Sequence, residues 1–171
     1  MPKIRGNLQV RGSVEGGRRR MAHFRDSKAD GTNAGTLTTN TWNTRTLNTT
    51  LRNDIGASLG SNRITLPAGS WFIEAGATQH ECERFKARIQ NITAGTTAIV
   101  GTSMNSPNGG AKGQIALVRG LITLSVSSQI ELQLYITNAT PAASEGGQRA
   151  DDTDGGAEVY SEVIVTSYNN G

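Results

Sequence analysis

Residues 129–136 read Gln-Ile-Glu-Leu-Gln-Leu-Tyr-Ile (QIELQLYI), with Ile130, Leu132, Leu134 and Ile136 alternating against Glu131, Gln133 and Tyr135. Successive side chains of a strand point to opposite faces, so this period of two puts every aliphatic residue on one side. A half-buried antiparallel strand is the prediction. Working outward, 85–89 (FKARI) repeats the pattern, with Phe85, Ala87 and Ile89 inward and Lys86 and Arg88 outward. Trp71, Ile73, Ala75 and Ala77 share a face just after the Pro67-Ala68-Gly69 turn that ends the strand at 62–66. Residues 113–124 (GQIALVRGLITL) are apolar on both faces, which predicts a central strand interrupted or bent near Gly120.

Further strands are expected at 23–26, 41–48, 96–102 and 157–166, the last with Val159, Val163 and Val165 facing inward. Turn-rich stretches at 30–36 and 103–113 and a long loop at 137–156 separate them. Residues 47–59 offer one helical turn at most. About eight strands with irregular loops predict an all-β, antiparallel two-sheet jelly roll.

Composition points the same way. The 171 residues match one domain, and Gly 21 with abundant Thr, Ser and Asn favours strands and turns. Aromatics are only 5%, so the core must come mainly from Ile, Val, Leu and Ala, a thin supply that mildly favours an oligomer. One cysteine, Cys82, gives no internal disulfide, and no apolar run approaches a membrane span. Synthesis and folding in a cytosol are therefore expected. Charge divides the chain: residues 1–28 carry eight cations against Glu15 and Asp26, or +6, while the whole chain is +3, which leaves −3 for the rest. The basic segment 1–21 reads as an extended arm, with 22–171 as the folded domain.

Chemistry-bearing residues are sparse. His80 and Cys82, two apart, would share a strand face, but with His23 they lack the spacing of a zinc site, and a partly buried strand end accounts for them. Asp151, Asp152 and Asp154 before Gly155 and Gly156 suggest a calcium loop, yet the fifth position and the distal Glu of that pattern are missing, so a solvated acidic turn is the preferred reading. Arg18, Arg19 and Arg20 lack the interleaved aromatics of a nucleic-acid site; a docking arm meeting acidic surfaces fits better. No nucleophile elbow, zinc-protease or phosphate-loop motif occurs, and the pair Glu81 and Glu83 is a weak cue for glycoside hydrolysis. Neither an enzyme nor a cofactor is predicted. Trp42, Trp71, Tyr135 and Tyr160 are candidates for stacking on sugar rings, with core or subunit-interface roles favoured because they sit within strands.

Several strings carry a family resemblance: FRDSKADGTNAGT at 24–36, WNTRTLN at 42–48, IGASLGSNRITLPAGSWFIEA at 55–75, FKARIQNITAG at 85–95, VGTS at 100–103 and EVYSEVIV at 158–165. Together they resemble a recurrent family of phage virion proteins, marked by motifs that fall here on 26–32, 42–48, 66–69, 86–88 and 158–160. Such domains are similar to the trimeric globular heads of the tumour-necrosis-factor and complement type. The segment 78–84 is more charged than that pattern, and the loop at 148–156 is particular to this chain.

The resemblance implies a homotrimer on a virion surface, as a tail or head fibre, spike or decoration protein. The expected division of labour gives Lys3, Arg5, Arg11, Arg18, Arg19 and Arg20 to anchoring on other capsid or tail proteins, and Lys86, Arg88, Tyr135 and Tyr160 to the trimer interface. The displayed head would engage a host-surface glycan or protein. A purely structural cement or cap, with no host receptor, is the alternative.

Overall fold

The computed structural model describes residues 19–105, 113–138, 145–149 and 155–168. Within them lie eleven strands and no helix: β1 (Met21–Lys28), β2 (Trp42–Thr44), β3 (Thr49–Asn53), β4 (Ser58–Gly60), β5 (Arg63–Leu66), β6 (Gly69–His80), β7 (Arg84–Asn91), β8 (Thr96–Asn105), β9 (Gly113–Leu124), β10 (Ser128–Ile136) and β11 (Glu158–Ser167). A five-stranded sheet in the order β3-β1-β11-β6-β9 faces a six-stranded path, β4-β5-β10-β7-β8 with β2 added to β10. All pairings are antiparallel. The architecture is the expected two-sheet jelly roll.

The core lies between the sheets, where each strand contributes the face its alternation marks. Ile130, Leu132, Leu134 and Ile136 of β10 are fully buried and meet Ile73, Val118 and Val163 from the opposite sheet's strands within one cluster. Trp71 seals the turn end, its indole Nε1 donating to the Pro67 carbonyl at 3.0 Å. Aliphatics fill most of this interior, as the scarcity of aromatics required.

Several local expectations need correction. β9 is not a central strand: it forms the edge of the five-stranded sheet, and it runs unbroken along β6 from Gly113 to Leu124. Gly120 does not bend it; the missing side chain makes room for Ile99 of the other sheet, whose Cγ2 would lie 3.1 Å from an added Cβ. The alternation expected for β11 slips, because β11 bulges at Tyr160, the extra residue opposite Asp26 and Ser27 of β1, which turns Val159 outward and Tyr160 inward.

Residues 41–48 form a strand only over Trp42–Thr44. Beyond it the chain leaves the six-stranded sheet, where Arg45 N–H donates to the Leu132 carbonyl, and reaches the other, where Asn48 N–H donates to the Arg25 carbonyl. The segment 47–59 then holds β3 and β4 instead of a helical turn. The first strand extends to Met21, and Arg20 already exchanges bonds with Ser167, so the sheet claims the last residues assigned to the arm.

Candidate functional site

Two outer faces of the sandwich differ in chemistry. On the five-stranded sheet, β6 and β9 turn Phe72, Ile115, Leu117 and Leu121 outward at 36 to 52% exposure, joined by Val159 at 38%. The half-buried Ile164 of β11 lies between them in register terms, opposite Glu74. A groove of about 280 Å³ runs along this face, lined by Gly76, Ile115, Leu117, Val159 and Ile164. Gly76 forms its floor: a Cβ there would come within 3.2 Å of the Ile115 side chain. Two cross-strand pairs, Arg119 with Glu74 at 3.4 Å and His23 with Glu162 at 2.5 Å, share the face.

Contiguous exposed aliphatics of this kind are unusual on a monomer's surface and mark an interaction face. Sequence reading missed these residues. Their signal was present in the two-faced apolar pattern of 113–124, which was assigned to a strand covered on both sides within one chain.

The six-stranded sheet presents the opposite character. Glu131 and Gln133, expected on a wet face, are 4% and 8% exposed. Long side chains roof them: Arg63 Nε reaches Glu131 at 2.7 Å, Thr44 and Gln133 donate to the same carboxylate at 2.7 and 2.6 Å, and Arg88 Nε donates to Gln133 at 2.9 Å. Burial alone would raise the Glu131 carboxyl; these hydrogen bonds and the Arg63 charge outweigh it and hold the group below its ordinary value. Arg88 also donates to Thr97 and lies 4.0 Å over the Trp42 ring, while Trp42 packs edge-on to Tyr135 with centroids 5.4 Å apart. Burial pushes the Arg88 guanidinium down, with Glu131 opposing.

Lys86, Arg88 and Tyr135, expected at the interface between subunits, therefore sit together on the outer face of the six-stranded sheet, away from the apolar groove. Tyr160 does not join them. It is 3% exposed inside the protomer, its hydroxyl donating to the Thr32 carbonyl at 2.7 Å, and burial pushes that hydroxyl up to about 12. Trp71 is likewise a core residue at 4% exposure.

A third cluster closes one end of the sandwich. The segment 145–149 is clamped between the 31–35 loop and β6: Ala34 N–H donates to the Gly147 carbonyl, Gly146 N–H to that of Gly35, and His80 N–H to that of Glu145. Buried Arg45 donates to the Gly146 carbonyl at 2.7 Å, and burial lowers its guanidinium to about 10 against the raising influence of Asp26. His80 and Cys82 do not share a strand face, because β6 ends at His80 and Glu81 takes a left-handed conformation (φ 55°). Cys82 is fully buried, its Sγ near the carbonyls of His80 and Glu145. Among the described residues no three His, Cys, Asp or Glu side chains gather as a metal site. Lys3, Arg5, Arg11 and Arg18 of the arm and Asp151, Asp152 and Asp154 of the acidic loop lie outside the described residues.

No family profile and no curated protein matches the sequence. Solved structures do match in fold. Murine APRIL at pH 8.0 aligns with a TM-score of 0.57 and 9% identity over 88% of this chain and all of that one. The globular domain of zebrafish complement 1qA aligns with a TM-score of 0.54 and 10% identity over 89% of this chain and 99% of that one. At these identities the likeness establishes a shared fold, and the chain adopts the jelly roll of the APRIL and complement 1q globular heads.

Proposed function

We propose that the chain is a homotrimeric structural protein of a bacteriophage particle surface, whose jelly-roll head faces outward and adheres to the host. The observation that carries the assembly is the apolar outer face of β6, β9 and β11, which a lone protomer leaves in water. Burying it against sister subunits returns roughly 25 cal/mol for each Å² of apolar surface removed from water. The fold shared with the APRIL and complement heads supports a trimer as its form, and the strings between 24 and 165 support the virion setting.

Sedimentation of the full chain tests the assembly. The expected species has three times the 18.1 kDa mass of one chain. Leu117→Asp with Leu121→Asp, both at exposed positions, should give a folded monomer with an unchanged circular dichroism spectrum. A monodisperse wild-type monomer at micromolar concentration would overturn the trimer. Binding of the purified protein to host cells tests adhesion; its absence, with incorporation into particles intact, would leave the cement reading in its place.

A further inference from the structure

We propose that the outer face of β7, between β10 and β8, is a binding site for an acidic polysaccharide. This deepens the adhesive reading above and rests on it for the biological setting. Arg84, Lys86 and Arg88 alternate along β7, so their side chains emerge on one face about 7 Å apart. They are three of the nine cations in a stretch, 29–171, whose net charge is −3. Positive charge is thus concentrated on one strand of a body that is otherwise acidic.

The carboxylate nearest in the sheet is already engaged, since Glu131 is held by Arg63, Thr44 and Gln133. Arg84 and Lys86 form no ion pair among the described residues, which leaves both ammonium and guanidinium charge for an incoming anion. Arg88 plays a different part. Bonded to Gln133 and Thr97 and stacked on Trp42, it fixes the indole, which in turn supports Tyr135.

Beside this platform opens a recess of about 380 Å³, lined by Arg84, Lys86, Ser103, Met104, Asn105 and Tyr135. It combines cations for carboxylates, a hydroxyl and an amide for sugar hydroxyls, and an aromatic wall for the apolar face of a pyranose ring. A site of this volume lies within the range of small-ligand pockets. Its place on the six-stranded sheet leaves it open when the five-stranded sheet is covered by sister subunits.

Titration calorimetry of the full-length assembly with polygalacturonate, neutral dextran and duplex DNA at physiological salt provides the test. Polygalacturonate should bind, dextran should not, and Arg84→Ser with Lys86→Ser should weaken binding by roughly tenfold or more. Tyr135→Ala keeps every charge and should also weaken polygalacturonate binding by several-fold. Thermal melting confirms that each variant is folded. DNA binding as tight as polygalacturonate, or full affinity in Tyr135→Ala, would reduce the site to unspecific attraction of polyanions and overturn the proposal, as would no binding to a protein shown to be trimeric. Polygalacturonate binding by a protein that sediments as a monomer would sustain this site while removing the trimer.

Discussion

Glu131 shows how one side chain sets a pH limit on the fold. Its carboxylate is 5% exposed yet ionised, because Arg63, Thr44 and Gln133 all donate to it. A folded-state value below the unfolded one means that the stabilisation is complete above about pH 4.3 and is lost as pH falls through the folded value. Glu131→Gln should therefore cost about 2 kcal/mol near neutrality, with a smaller further loss on acidification than the parent shows. Urea midpoints measured from neutrality into acid check this, and parallel curves for the two proteins would contradict it. Cys82 makes a second case. Burial pushes its thiol up to about 11, against the opposing hydrogen bond with the His80 backbone. A disulfide reagent such as Ellman's at about pH 8 should leave it untouched in the folded protein and react promptly after denaturation, since only the thiolate attacks. Fast reaction of the native protein would show that the end of the sandwich is open.

Among the elements, β8 and β9 join the two sheets along one side. Thr102 Oγ1 bridges both the N–H and the carbonyl of Leu117, and Gly101 passes so close that a Cβ would lie 2.5 Å from the Leu117 oxygen and 2.8 Å from that of Ala87. Backbone atoms on both sides cannot yield, so Gly101→Ala should destabilise by about 3 kcal/mol. Gly60→Ala, with nothing within 4 Å of the new methyl, is the matched control and should stay within about 0.5 kcal/mol. Equal urea midpoints for both variants would refute this reading of the junction. The long strands β6, β7 and β10 were legible in sequence because each sets a row of apolar residues at every second position, and β9 because 113–124 is a long apolar run. Two short ones were not: β3 is mostly exposed and β4 has three residues, so neither carries a buried face to betray it. Nor could alternation reveal the bulge at Tyr160 of β11, which exchanged Val159 for Tyr160 in the interior. The same limit applied to the surfaces. Lys86, Arg88 and Tyr135 read correctly as outward, but which of the two sheets carries them depends on strand order, and local period says nothing of that.

At the scale of the molecule, charge and hydrophobicity are distributed to different places. The first 28 residues hold +6 of formal charge, the rest −3. Arg20 belongs to the sheet through Ser167, so a deletion that spares the fold should stop at residue 18. Removing 1–18 should leave circular dichroism and sedimentation unchanged while abolishing incorporation into particles, scored by immunoblot of purified virions. Normal incorporation would overturn the proposal that the arm anchors the protein. The junction of β8 with β9 bears on solubility as well. Open strand edges recruit other strands and grow into ribbons, a hazard that increases where many copies crowd together. On this side the edge strands β8 and β9 lie against each other, bonded where Thr102 meets Leu117, and the far margins are β3 and β4, of five and three residues. The far margins are thus short, and a short edge strand is one of the devices that limit edge-to-edge pairing.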